Sequence, residues 1–294
     1  MFRCIICKKS KYTTISKNTR DSNHKILKCE TCNHVQIFPT MSKKETREFY
    51  DQDKQLRAII DKINFKEMED KTKLDIRNRY SLISKYINKK SKILEIGSGY
   101  GFFLKFLKNK GCNIEGVEIS EIRRNYSKKK VNCKIHNINF NENHIHEIGE
   151  FDIITMFQVL EHISEPIQFL KNIKSIMKEN GKLIIEVPNL SDIQIKNNLE
   201  YKKWFWQVAH VSYYNPQTLK NVLKKVGFVN VEINGLQRYG LENMFHWKIL
   251  KKPQLKHPSK KIEKDFEWLE KYYKSELEKR RISDTITCIA SKNQ

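Results

Sequence analysis

The run Ile93-Leu94-Glu95-Ile96-Gly97-Ser98-Gly99-Tyr100-Gly101-Phe102 decides the fold. A short β-prone stretch ends in three glycines on alternate positions, and an amphipathic stretch at 102–110 follows. Glycine at a strand-to-helix turn lets the backbone bend tightly and approach a ligand closely, while helix N–H groups face it. The spacing is G-x-G-x-G with Glu95 two residues before the first glycine, unlike the G-x-G-x-x-G turn of dinucleotide enzymes. A second acid, Glu118, closes the next apolar run about 20 residues on, where a carboxylate can accept from both hydroxyls of a ribose.

Working outward, short apolar runs at 93–96, 113–117, 152–156, 182–187 and 229–233 alternate with helical stretches at 102–110, 166–179 and 217–226. Such alternation predicts an α/β chain: a parallel sheet with helices on both faces. A last run, 285–290, follows a helical insertion at about 236–283. Residues 41–90 read as helical. Ser42 and Glu45 have capping-box spacing, and Leu74, Ile76, Tyr80, Ile83 and Ile87 recur with helical periodicity.

The glycine motif with its two acids resembles the class I S-adenosylmethionine (SAM)-dependent methyltransferases, over residues 91–234. Phe151-Asp152-Ile153-Ile154 with Val159-Leu160-Glu161-His162 is similar to that family's fourth-strand signature. Gly181-Lys182-Leu183 and Gly227-Phe228 fit the approaches to its fifth and sixth strands. The resemblance implies a Rossmann-like seven-stranded sheet with 285–290 as an antiparallel last strand. It further implies that Gly97, Ser98, Gly99 and Gly101 surround the methionine portion and ribose of SAM. Glu95 would order the loop or reach the amino group through water, and Glu118 would hold the ribose. Ile119 would pack on adenine, Asn137 and Ile138 would meet its edge, and Phe157 and Gln158 would line the methyl-donor pocket. Asn137 stands where the family usually has Asp. Tyr50 is a candidate cap on the same site.

Four of the seven cysteines form two Cys-x-x-Cys pairs, Cys4/Cys7 and Cys29/Cys32. Four soft thiolates suit tetrahedral zinc, and four protein ligands leave no open position, so the metal is read as structural. The chain thus divides into a zinc-binding module at 1–40, a helical linker or cap at 41–90, and a SAM-binding domain at 91–294 whose insertion at about 236–283 serves as a substrate lid. A zinc knuckle before such a domain resembles both sugar methyltransferases and a bacterial ribosomal-RNA guanine methyltransferase.

The segment Trp204-Phe205-Trp206-Gln207-Val208-Ala209-His210-Val211-Ser212-Tyr213-Tyr214 follows the fifth strand, whose end faces the ligand crevice. In zinc-containing sugar C-methyltransferases a Glu-His pair lies here beside the substrate. His210 matches the histidine, but Ala209 replaces the carboxylate, which shifts the expectation towards O-methylation. His210 is the candidate general base, with a pKa expected near neutral, and His162 is the second candidate. Gln158 replaces the acid that joins a Glu-His pair on a divalent cation in some quinone O-methyltransferases, which argues against that arrangement here. The aromatic residues of the segment read as loop packing.

Composition narrows the rest. Hydrophobic residues make up 39% and aromatics 11%, too rich for a disordered chain. No apolar run approaches the ~20 residues of a membrane span, and the start carries no apolar leader, so a cytoplasmic protein is expected. Fifty-six Lys and Arg against 34 Asp and Glu give +22, which favours anionic partners. The leading expectation is O-methylation of a sugar hydroxyl on a nucleotide-linked or surface-glycan precursor. The alternatives are an RNA base methyltransferase, which lacks the Asn/Asp-Pro-Pro-Tyr/Phe signature, and an inactive SAM-fold scaffold. The acceptor and the oligomeric state are not legible in the sequence.

Overall fold

The computed structural model describes residues 2–51, 64–138, 145–254 and 264–292. Strands β1 (Tyr12–Ser16), β2 (Lys25–Cys29) and β3 (Val35–Phe38) open the chain as an antiparallel meander. Helices α1 (Lys43–Asp51) and α2 (Phe65–Ser84) follow. Ser42 caps α1 reciprocally with Glu45: Ser42 Oγ accepts from the Glu45 amide at 3.2 Å, and the Glu45 carboxylate accepts from Ser42 N at 2.7 Å. On α2, Ile76 and Ile83 are buried, whereas Leu74 is 55% exposed and lies off the apolar stripe.

Beyond α2 the chain alternates β4 (Lys92–Ile96), α3 (Phe102–Asn109), β5 (Asn113–Val117), α4 (Glu121–Val131), β6 (Lys134–His136), β7 (Phe151–Phe157), α5 (Pro166–Ser175) and β8 (Met177–Pro188). Two short helices, α6 (Ile193–Asn197) and α7 (Leu199–Phe205), lead to β9 (Ser212–Tyr213) and α8 (Pro216–Val226). The chain continues through β10 (Val229–Leu236), α9 (Leu241–Leu250), α10 (Glu267–Lys279) and β11 (Thr285–Ser291).

Seven strands form one sheet in the order β10-β11-β8-β7-β4-β5-β6. The β4–β5, β5–β6, β4–β7 and β7–β8 pairs are parallel, and β11 runs antiparallel between β8 and β10. This is the Rossmann-like methyltransferase sheet. Its central strands are apolar on both faces because helices cover both sides: Ile93, Leu94, Ile154, Ile184 and Ile185 are fully buried.

Within this sheet β6 and β8 differ from the sequence reading, and the strands of the second sheet are not read from the sequence. The three-residue β6 carries only one apolar residue, Ile135, and so gives no periodic signal. Strand β8 begins at Met177, before the 182–187 run, because Met177 pairs with Phe151 and pairing resumes at Ile153↔Lys182 after an irregularity. Asn180, with φ +60°, lies in that irregular stretch.

The N-terminal meander forms a second sheet, β1-β2-β3-β9, and its last strand comes from the other end of the chain. Val35 pairs with Tyr213 and Gln36 with Ser212. Ile26, Val35, Ile37, Trp206, Val211 and Tyr213 make a shared core at this joint. Between β10 and β11 the chain is tied down by Asp284, which accepts from Gln237 Nε2 at 2.7 Å and from the Tyr239 amide at 3.0 Å. No helix among the described residues is long and apolar enough to cross a membrane.

Candidate active site

The chain reverses direction across the sheet between β4 and β7, the switch point at which a crevice opens beyond the strand ends. Two loops meet there. A Cβ on Gly97 would lie 2.6 Å from Val159 Cγ2, so the glycine turn after β4 packs directly against the turn after β7. Gly97, Gly99 and Gly101 have φ of +69°, +56° and +78°. Their surroundings differ. A Cβ on Gly101 would meet Ser127 Oγ at 2.2 Å, whereas one on Gly99 would meet nothing within 4 Å. Gly101 therefore lets α3 close on α4, and Gly99 presents bare backbone to open space, the cradle a ligand needs.

Around this cradle Glu118 is buried, its carboxylate accepting from Gly99 N at 2.7 Å and Ser120 N at 2.8 Å. It thereby ties the glycine turn to the end of β5. Glu95 is buried with Oε2 unpartnered, and burial pushes its pKa up to about 8. The buried Ser98 and Ser120 hydroxyls also lack partners. Such orphaned polar atoms beside the glycine cradle fit a polar ligand such as SAM. Ile119 is 46% exposed. Asn137 Oδ1 already accepts from Arg124 at 3.1 Å, and Ile138 packs on the central core. Phe157 turns away to meet Phe103 edge-on at 5.4 Å, while Gln158, at φ +59°, donates to Glu186 from both its amide groups. The side chain of Tyr50 lies outside the described residues.

His162, in the turn after β7, and His210, in the loop before β9, are brought together with ring centroids 4.9 Å apart at 80°. Their separation in sequence hides this pairing. His162 Nδ1 donates to Ala209 O at 2.8 Å, which fixes the lone pair on Nε2. Gln207 Nε2 lies 2.8 Å from His210 Nε2. Burial drives His162 down to about 4 and His210 well below its ordinary value, so near-neutral titration of His210 is not what the fold provides. Both rings are therefore neutral at physiological pH, and the burial that keeps them so makes each a weaker base than a free imidazole. Beside them Glu161 is buried with neither carboxylate oxygen hydrogen-bonded, Oε1 lying 3.8 Å from His162 Nε2, and burial raises it to about 8. One ligand atom from each of Glu161, His162 and His210 lies within 4.8 Å of the others.

The sequence model of a methyltransferase domain matches residues 66–233, more than half of the chain. The chain belongs to the class I SAM-dependent methyltransferases. The ubiquinone biosynthesis O-methyltransferase of Coxiella burnetii is 25% identical over 178 residues, covering 57% of this chain and 76% of that protein. A SAM-dependent methyltransferase from Archaeoglobus fulgidus superposes with a TM-score of 0.51 at 22% identity, over 74% of this chain and 93% of its own. Magnesium protoporphyrin IX methyltransferase from Synechocystis PCC 6803, with bound S-adenosylhomocysteine (SAH), gives 0.55 at 12% identity, over 86% of this chain and all of its own. These structures share the fold.

In this methyltransferase the two Cys-x-x-Cys turns face each other. Cys4 Sγ is 3.5 Å from Cys32 Sγ, Cys7 Sγ is 3.4 Å from Cys29 Sγ, and all four lie within 4.8 Å. Tetrahedral zinc at ~2.3 Å from each sulfur requires S···S separations of about 3.8 Å, so the donor set fits. Both turns end in a left-handed residue, Lys8 at +63° and Asn33 at +60°, whose amides donate back to Cys4 O and Cys29 O.

The methyltransferase also uses charged residues that the sequence left unmarked. Asp75 and Arg79 have the i,i+4 spacing of a solvated helix pair. Instead Arg79 donates to Glu186 on β8 at 2.8 and 3.1 Å, and Asp75 accepts from Arg238 at 2.6 and 3.1 Å. These bidentate pairs clamp α2 over the strand ends, and no local pattern could have revealed them.

Proposed function

We propose that this methyltransferase O-methylates a sugar hydroxyl of a nucleotide-linked or surface-glycan precursor, with His210 as general base and His162 beside it. The observation that carries the reading is the pair of imidazoles brought edge to face beyond the strand ends, His210 buried and His162 largely enclosed. SAM, when bound, supplies an already activated methyl group, so the protein's task is to orient the acceptor in line and take one proton from it. A neutral imidazole is open to that proton, though burial makes it a weaker base than a free histidine, and Ala209 withholds a carboxylate from the position where a sugar C-methyltransferase carries one. Net charge of +22 supports an anionic acceptor. The four cysteines are assigned to one structural zinc ion.

Transfer of tritiated methyl from SAM to a panel of nucleotide sugars, phenols and bulk RNA tests this reading. His210→Ala is expected to lower turnover by about 10²–10⁴-fold with SAM affinity retained. Near-normal turnover removes His210 from the role. A second reading, methylation of a phenolic hydroxyl, is favoured by the name of the Coxiella relative, and labelling of phenols alone would establish it. Labelling of RNA that collapses steeply with salt would replace both.

A further inference from the structure

A groove of about 510 Å³ lies where the N-terminal meander meets the methyltransferase domain, within the size range of small-molecule sites. Its walls come from β1, β2, β3 and the turn that carries Cys32, and from α6, α7 and α8, elements that the sequence keeps far apart. In a chain with 34 acidic residues, no Asp or Glu among the described residues lines it. Lys28 and Lys202 reach it from opposite walls, and neither ammonium has a carboxylate partner among the described residues. Amides are supplied by Asn33 and by Gln217 and Asn221, the latter two joined at 2.8 Å on the first turns of α8. Apolar residues, Trp206 among them, form the floor.

Two unpaired cations, several amides and an apolar floor match a phosphorylated carbohydrate: anionic at one end, rich in hydroxyls, and apolar on its ring faces. The groove is close to the chemistry. Trp206 is four residues from His210, and four residues span at most ~14 Å even when fully extended. We infer that this groove is the acceptor subsite that holds the phosphate-bearing part of the substrate, with Lys28 and Lys202 on the phosphate and the amides on hydroxyls. The inference rests on the acceptor reading above and names the part of the protein that selects the acceptor.

Calorimetric titration of the full-length, zinc-loaded protein in the presence of SAH tests it, using UDP-glucose, glucose 1-phosphate and uncharged methyl glucoside as probes. One phosphorylated probe should bind at least about tenfold more tightly than methyl glucoside, and Lys28→Ala/Lys202→Ala should erase that difference. Preference for UDP-glucose identifies a nucleotide-linked acceptor; preference for glucose 1-phosphate identifies a sugar phosphate. Leu190→Trp, which fills the groove from its apolar side, should have the same effect without touching a charge. Zinc content and SAH affinity report that each variant is folded. Equal probe affinity in wild type and variants overturns the inference, as does binding of none of the probes. Loss of zinc in Lys28→Ala with probe affinity unchanged in Lys202→Ala makes Lys28 a counter-charge to the thiolates, and also overturns it. If sugars are methylated while the lysine variants bind normally, the subsite fails and the proposed reaction stands. If phosphorylated probes bind at the lysines but no sugar is methylated, the reverse holds.

Discussion

Gln36 of the N-terminal meander is the antiparallel partner of Ser212, two residues beyond His210. The cysteine module therefore does more than cap one end of the chain. Its third strand fixes the loop that carries the histidine, aided by Ile37 N donating to Val211 O at 3.1 Å and Arg20 donating to Gln207 Oε1 at 2.7 Å.

Metal removal should report this coupling. Structural zinc contributes roughly 10–16 kcal/mol to comparable small modules, more than a meander this size can replace. Unfolding with chelator, or Cys29→Ser, is expected to release one zinc per chain and abolish methyl transfer while SAM still binds. Atomic absorption, activity and calorimetry on the same sample check it. Full activity in zinc-free protein would sever the module from the site.

The glycines should separate by what faces them. Gly101→Ala drives a Cβ to within 2.2 Å of Ser127 Oγ at a left-handed backbone, and is expected to cost about 1–3 kcal/mol of stability. Gly99→Ala meets no neighbour, so it should cost only ~1 kcal/mol of backbone strain while weakening SAM binding by tenfold or more. Calorimetric melting beside SAM titration distinguishes the two.

Arg79 and Glu186 form a largely buried pair, their side chains 15% and 1% exposed. Removing one partner leaves an uncompensated buried charge, so Arg79→Ala should destabilise by roughly 3–5 kcal/mol. The double variant Arg79→Ala/Glu186→Gln should recover a large part of that loss. A double-mutant cycle by denaturant unfolding reads the coupling, and simple additivity of the two losses would disprove it.

Stability of the ligand-free protein should fall as pH rises from 6.5 to 8. Glu95 and Glu161, both raised to about 8, hold protons in the folded state that the unfolded chain has already released. Folding stability is thus lost across the window between their ordinary values and about 8. His34 and His162, depressed to about 3 and 4, act in the opposite direction, but only below about 6.5, where the unfolded histidines charge. Each raised carboxyl contributes at most ~1.4 kcal/mol per pH unit, so Glu161→Gln should visibly flatten the slope of melting temperature against pH.

Features that depend on short-range pattern were legible along the chain. Alternation of apolar runs and helices, with Gly97, Gly99 and Gly101 between Glu95 and Glu118, specifies a parallel sheet and a backbone cradle, because strand periodicity and left-handed turns are properties of a few adjacent residues. The Cys4/Cys7 and Cys29/Cys32 spacing likewise announces a four-thiolate cluster. Tertiary structure alone decided what depends on distance through space. It joined His162 to His210, sent Asp75 and Arg79 to separate partners, completed the N-terminal sheet with Ser212 and Tyr213, and lowered the histidine pKa values by burial. Those outcomes follow from which surfaces the fold buries against one another, and burial is a sum over contacts that no local stretch contains.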